Sequence, residues 1–378
     1  MARIIYFTRD YTPHDHRFLS KLAHIDHKVY FLQLERRGHA LEDRPLPPQI
    51  EQIHWAGGHG PVSWRDGLRL LPDLQRVIRR VKPDLIQAGP LQRSAFLVAL
   101  SGFKPLLSMS WGYDLLVDAK RNALWRWATR FTLKHSAVMV GDCQTIRELA
   151  VKHGMPDERI ITFPWGIDLQ HFTPRSSTDQ ADDPNGRHDT NFQPSTFTLL
   201  STRGWEPIYG AEVIARAFVL AARQRPELRL VMLGNGSQAA LIRQIFLQGG
   251  VSERITFPGQ ISQDELPRYF HMADLYVSAS HSDGTSISLL EAMACGLPAL
   301  VSDIPGNREW VQPAENGWLF PDGDANALAQ AILSAVEGRE RLGEMGCTAR
   351  RIAEQRADWD RNFPVLLQAY DLALENPR

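Results

Sequence analysis

Cysteine is scarce in this chain. Cys143, Cys295 and Cys347 stand far apart in 378 residues. Three widely spaced thiols argue against a disulfide framework or a cysteine zinc site and suit a reducing compartment. Long apolar runs are also missing. No stretch of about 18 residues is apolar throughout, which rules out a spanning helix of ordinary length. Neither sign of charge is in surplus: 42 basic residues meet 43 acidic ones, for a net charge of −1. No global field therefore draws the chain to nucleic acid, and basic patches would have to be local. The N-terminal run Met1–Phe7 is too short, and too soon followed by charge, for a signal peptide. It reads as a strand of a cytoplasmic protein.

What is present describes a soluble globular chain, with 43% hydrophobic and 22% charged residues. This length predicts two domains. Strand-like runs occur at Ile4–Phe7, Val29–Leu32, Leu85–Gln87, Leu106–Met109 and Val138–Val140, and again at Phe197–Ser201, Leu228–Leu233, Ile255–Phe257, Leu275–Ser278 and Ala299–Val301. Amphipathic stretches such as Trp64–Val81 and Ala211–Gln224 alternate with them. The alternation predicts two α/β units with mostly parallel sheets, which bind ligands beyond the carboxyl ends of their strands. Composition places the domains at 1–174 and 197–357, joined by a polar linker or loop at 175–196. A final amphipathic helix within 358–378, carrying Phe363, Leu366 and Tyr370, is expected to return to the first domain. Two similar domains with a hinge imply a cleft between them.

The most informative stretch is Asp283-Gly284-Thr285-Ser286-Ile287-Ser288-Leu289-Leu290-Glu291. It follows a strand and runs through a glycine turn into an apolar helix. Free N–H groups at a helix start attract an anion, and flanking carboxylates accept hydrogen bonds from sugar or ribose hydroxyls. In the bland reading, Asp283 is a turn residue and Glu291 a solvated helical charge, but apolar neighbours on both sides of Glu291 weigh against the latter. Arg203, just beyond a strand, suits a bidentate contact to a diphosphate, or else pairs with Glu206. Gly234-Asn235-Gly236 is a further strand-to-helix turn near which a phosphate or base would fit. It lacks the third glycine of a dinucleotide fingerprint.

In the first half, His14, Asp15 and His16 crowd one loop after the first strand and suit proton transfer or hydroxyl recognition; a solvated loop with a helix cap is the alternative. Trp111 and Asp114 follow another strand, where rings stack on a sugar and a carboxylate grips a hydroxyl, or where aromatics simply pack a turn. The 120–135 segment is a basic helix, with Arg126, Arg130 and Lys134 on one face and Leu124, Trp127 and Phe131 on another. Its basic face and Trp125 allow weak peripheral contact with anionic lipid. The bland reading is a solvated basic face above a core stripe of Leu124, Trp127 and Phe131.

Taken in order, these segments resemble the retaining GT-B glycosyltransferases of family four. Glu291-Ala292-Met293-Ala294-Cys295-Gly296-Leu297-Pro298 matches the end of that family's glutamate–seven–glutamate motif. Pro164-Trp165-Gly166-Ile167-Asp168, Asn316-Gly317-Trp318-Leu319-Phe320 and Asp322-Gly323-Asp324 resemble its flanking segments. The resemblance implies an α/β GT-B fold, two Rossmann-like α/β/α domains facing each other across a cleft. It implies a nucleoside-diphosphate sugar as donor and a sugar, lipid-linked or small-molecule hydroxyl acceptor, with neither metal nor cofactor. Glu291 would hold the ribose, Asp283 the donor sugar, and Arg203 the diphosphate beside Gly284, Thr285, Ser286 and Ile287. Gly234, Gly259 and Ile261 would lie near the base. Asp283, Arg203 and Asp114 are the catalytic candidates, and His14, Asp15, His16 and Trp111 the acceptor-side candidates. Three departures stand out: Asp283 replaces a glutamate, Ile208 and Tyr209 occupy the place of a lysine, and Trp111 that of a histidine. Tyr209 would then share the leaving-group charge. A sugar-nucleotide hydrolase or epimerase, or a non-catalytic binder, would use the same donor residues.

Overall fold

A parallel sheet covered by helices on both sides requires strands that are apolar on both faces. Each apolar run named above is a strand in the computed structural model, which describes residues 1–36, 42, 44–175 and 196–377. The chain forms two units, Met1–Pro164 with Phe363–Arg378, and Trp165–Asn362.

The first unit holds β1 (Arg3–Thr8), β2 (Lys28–Gln33), β3 (Glu51–Gln52), β4 (Leu85–Ala88), β5 (Leu106–Met109), β6 (Val138–Gly141) and β7 (Ile160–Thr162). They form one parallel sheet in the order β3-β2-β1-β4-β5-β6-β7. Its helices are α1 (Pro13–Leu22), α2 (Gly67–Val81), α3 (Ser94–Ser101), α4 (Tyr113–Leu116), α5 (Ala123–His135) and α6 (Gln144–Lys152).

The second unit holds β8 (Phe197–Ser201), β9 (Leu228–Leu233), β10 (Ile255–Gly259), β11 (Leu275–Ser278), β12 (Ala299–Ser302) and β13 (Gly317–Phe320). Their parallel order is β10-β9-β8-β11-β12-β13. The helices are α7 (Ala211–Ala222), α8 (Ala239–Gly249), α9 (Leu266–Met272), α10 (Ile287–Ala294), α11 (Pro305–Arg308), α12 (Ala325–Glu337), α13 (Leu342–Arg356) and α14 (Trp359–Asn362). Successive strand residues feed opposite faces. Leu199, Leu230 and Leu300 join the α7/α12 core, whereas their neighbours Leu200, Val231 and Val301 join the α10/α13 core.

Three strands are not among the runs read from the sequence: β3, β7 and β13. All three are edge strands, short, and in β3 wholly polar. The unit boundaries also differ from composition. The first unit ends at Pro164 rather than 174, because Ile167 pairs with Asp358 and exchanges backbone hydrogen bonds with Ala357 and Trp359 of the second. The expected linker at 175–196 lies outside the described residues except for its two end positions.

The last helix, α15 (Pro364–Glu375), belongs to the first unit and packs on β4 to β7. It buries Leu366, Ala369, Tyr370 and Ala373 there. The Tyr370 hydroxyl donates to the Gln87 side chain on β4, so its polar end is satisfied inside the core. Tyr370→Ala would leave a cavity and an unpaired Gln87. A loss of about 3–5 kcal/mol is expected from urea unfolding of the first unit. An unchanged midpoint would remove α15 from this core.

Candidate active site

Strand order in the second sheet reverses between β8 and β11. At such a reversal the two loops diverge and leave a crevice beyond the carboxyl ends. Here the loops touch before they part. Gly210 takes a left-handed conformation (φ +59°) at the start of α7, and a Cβ there would stand 2.1 Å from the Ala279 carbonyl oxygen. His281 N–H donates to the Ile208 carbonyl at 2.9 Å. From the other side, a Cβ on Gly306 would stand 2.2 Å from the Gly284 carbonyl oxygen. Any other side chain at these two positions would push the loops apart.

Arg203 leaves β8 and Asp283 follows β11, and the two meet. Arg203 Nη2 donates to Asp283 Oδ2 at 2.7 Å. Arg203 Nη1 reaches the Ser286 and Ser288 hydroxyls, each at 3.3 Å, and the guanidinium lies over the Tyr209 ring at 4.2 Å. Burial alone would pull this guanidinium down. Asp283, followed by Tyr209, Tyr276 and Glu291, holds it above its ordinary value. Its Nε is buried and has no hydrogen-bond partner among the described residues. The alternative pairing with Glu206 does not occur, because Glu206 accepts from the Ser237 N–H (2.9 Å) and hydroxyl.

Ser286 precedes α10, so the free N–H groups of its first turn lie beside Arg203. Gly284, Thr285 and Ser286 are buried around this turn, and Ile287 is half-buried. Tyr276 on β11 supports it by donating to Ser288 Oγ at 3.0 Å. Glu291, further along α10, is 4% exposed and accepts from Gln263 Nε2 at 2.8 Å. His171 in turn meets the Gln263 carbonyl at 2.9 Å. Gly234 N–H donates to the Gly259 carbonyl at 2.7 Å, tying the β9 turn to the end of β10, and Ile261 packs on the core beneath. Sequence reasoning missed Gln263, Ser288, Tyr276 and Gly306. A single sequence carries no signal for them, since each matters only through a partner distant along the chain.

The first-unit candidates are arranged differently. Asp15 is 1% exposed and closes a capping box with Thr12 at the start of α1, with the Tyr6 hydroxyl donating at 2.9 Å. Burial pushes its carboxyl up to about 6. Asp114 is equally buried. It accepts from the Leu91 N–H at 2.9 Å, the Ser110 hydroxyl at 2.6 Å and the Leu115 N–H at 3.0 Å. Burial pushes it, too, up to about 6. As they stand, both carboxylates are internal ties rather than groups facing an acceptor. His16 bonds Tyr11 through Nδ1 at 2.8 Å, and burial followed by Arg44 lowers its imidazole below the ordinary value. His14 and Trp111 are half-buried, with ring centroids 5.7 Å apart.

The face of α5 is also corrected. Trp125 is buried, while Leu124 and Trp127 are half exposed, and Arg126 and Arg130 are exposed. Phe96 on α3, which packs on Trp127 and Phe131 at 5.5 and 5.7 Å, and Trp64, which packs on Trp125 at 5.8 Å, fix this rotation.

Comparison with known proteins agrees with this architecture. The family model for glycosyl transferases group 1 matches residues 183–352, and that for glycosyltransferase family 4 matches 15–171. The chain belongs to the family-four GT-B glycosyltransferases. Among characterised relatives it is 28% identical, over 232 residues, to a D-inositol 3-phosphate glycosyltransferase of Pseudarthrobacter chlorophenolicus, a match covering 60% of this chain and 54% of that one. It is 24% identical over 204 residues to a GDP-mannose-dependent monoacylated phosphatidylinositol monomannoside mannosyltransferase of Corynebacterium glutamicum, covering 52% of each. The matches thus span about half the length of these relatives. In fold it resembles sucrose-phosphate synthase from Thermosynechococcus elongatus, with a TM-score of 0.79 at 19% identity over 98% of both chains. It also resembles Anabaena HepE, solved with UDP and glucose, with a TM-score of 0.78 at 17% identity over 98% of this chain and 100% of that one.

Asp114 offers a pH test. A carboxyl whose folded value lies near 6, above an ordinary 3.8, adds stability that is complete below 3.8 and lost as pH rises through 6. Asp114→Asn removes that titration and mismatches the hydrogen bonds, at a cost of about 1–3 kcal/mol. The gap between wild type and variant in thermal melts is expected to widen from pH 7 down to pH 4. A gap independent of pH would mean the carboxyl titrates normally.

Proposed function

We propose that this chain transfers a sugar from a nucleoside-diphosphate sugar, UDP- or GDP-linked, to a hydroxyl acceptor with retention of configuration. The observation that carries the reading is Arg203: buried, oriented by Asp283, Ser286 and Ser288, with Nε unpartnered, beside the N-terminus of α10. A diphosphate oxygen beside this guanidinium and the helix start would meet charge-assisted donors already held in place. The guanidinium, the helix start and Tyr209 would then carry the leaving-group charge without a metal ion or cofactor. Glu291 would accept from the ribose hydroxyls, with the base over Gly259 and Ile261. Asp283 would meet the donor sugar with its remaining hydrogen-bonding capacity.

In the step itself, the bond between the anomeric carbon and the leaving phosphate oxygen breaks. The acceptor oxygen bonds to that carbon on the same face, and its proton passes to the departing phosphate oxygen. The setting we propose is the cytoplasm, in cell-surface polysaccharide or glycolipid synthesis. Among the described residues no helix is long and apolar enough to cross a membrane. Weak peripheral contact with anionic lipid would use Leu124 and Trp127 of α5 rather than the buried Trp125.

A thermal-shift panel of UDP-, GDP-, ADP- and TDP-sugars tests the donor site. At a hundredfold excess over Kd, the nucleotide that fits stabilises the fold by about 2.7 kcal/mol. That shift should vanish in Glu291→Ala; a shift that survives would place the donor elsewhere. Arg203→Ala, still folded by circular dichroism, is expected to lose about 100-fold or more in kcat. Normal turnover would end its assignment, and stoichiometric free sugar without added acceptor would favour a hydrolase.

A further inference from the structure

The first sheet has its own reversal of strand order, between β1 and β4. Arg9 follows β1, and Arg93 lies in the loop between β4 and α3. Arg9 is committed: its Nε donates to the buried Glu35 at 2.5 Å. Arg93 is not. Its Nη1 reaches only the Val62 carbonyl, at 3.3 Å, and its guanidinium lies over the Trp125 ring at 5.1 Å. Arg121 lies over the same ring at 5.2 Å. Among the described residues neither Arg93 nor Arg121 forms an ion pair within 4.0 Å. Asp118 is close enough to be felt by both, yet pairs with neither. Two cations on one ring repel each other unless an anion lies with them.

Arg93 also lines a cavity of about 110 Å³, walled mainly by Leu34, Trp64, Leu70, Phe96, Leu97 and Leu100. Its wall is largely apolar, with Arg93, Gln92 and Ser63 as the polar part, and so suits a hydrocarbon chain beside a polar head. Trp64 and Leu100 are 38% and 39% exposed, so the apolar surface continues outward, and Trp64 itself packs on Trp125. One site thus offers unpaired guanidiniums next to an apolar cavity, at the end of the sheet where α/β folds take ligands.

We infer that Arg93 and Arg121 hold the phosphate-type head of an amphiphile whose apolar tail enters the Trp64–Phe96–Leu100 cavity, and that the acceptor hydroxyl is carried by a lipid phosphate of this class. The acceptor assignment rests on the transferase reading; the binding site does not. Guanidiniums suit a phosphate because their paired N–H groups match its oxygens.

Decyl phosphate, kept below its micelle concentration and titrated calorimetrically into the full chain without donor, tests the site. It is expected to bind at least tenfold more tightly than inorganic phosphate or decyl glucoside. Arg121→Gln and Leu100→Asp, both on exposed positions, should each weaken it at least tenfold while leaving the donor-sugar thermal shift unchanged. Inorganic phosphate binding as well as decyl phosphate, or Arg121→Gln binding like wild type, would overturn the inference, as would no binding at all. If decyl phosphate binds as expected but no donor sugar binds, the amphiphile site stands and the transferase reading falls. If donor binding holds and decyl phosphate does not bind, the acceptor inference alone falls.

Discussion

The second unit depends on two backbone contacts with no room for a side chain: Gly210 against Ala279 and Gly306 against Gly284. They bring the β8 and β11 loops within reach of one another at the reversal of the sheet. Only then can Arg203 and Asp283 pair at 2.7 Å. The ion pair is largely buried, so its net stabilising effect is small once desolvation is counted. Its effect is on position. It fixes a guanidinium beside the start of α10, where the helix dipole already favours an anion. Ser286, Ser288 and Tyr276 complete the bracing. Stability and chemistry are therefore separated: the cores above and below the sheet hold the fold, and the loops spend that rigidity on orientation.

The two sheets place cations differently at equivalent points. In the second unit the cation is braced by carboxylate and hydroxyls. In the first, Arg9 is neutralised by Glu35 while Arg93 rests on an indole ring. An aromatic face orients a guanidinium without occupying its N–H groups, so its hydrogen-bonding capacity stays available.

The strands were legible because burial on both faces demands apolar runs, and Ile4–Phe7 or Leu228–Leu233 can hardly be anything else. The edges β3, β7 and β13 were not: β3 is two polar residues, and the apolar runs of β7 and β13 are only two or three residues long. In the site, the order of Arg203, Asp283 and Glu291 was readable, because the first two sit at strand-to-helix junctions and the third lies among apolar residues of the helix that follows. Asp15 takes the helix-cap alternative that its sequence offered, and the burial of Asp114 was not legible. A carboxylate in a polar loop looks the same in sequence whether it faces solvent or ties N–H groups inside, and only the packed structure shows Asp114 beneath Leu91 and Ser110. The rotation of α5 was hidden for a similar reason. Its sequence offers the stripe Leu124, Trp127 and Phe131, and Trp64, distant along the chain, packs instead on Trp125, which is buried while Leu124 stays half exposed.

The return of α15 to the first sheet has a consequence for the order of assembly. Tyr370 and Gln87 are 283 residues apart in sequence. The second unit, Trp165–Asn362, is continuous, whereas the first needs both ends of the chain. A chain emerging from the ribosome can therefore complete the second unit while the sheet made first still lacks its covering helix. Completion runs opposite to synthesis, and the exposed face of β4 to β7 is what a chaperone would meet in the interval.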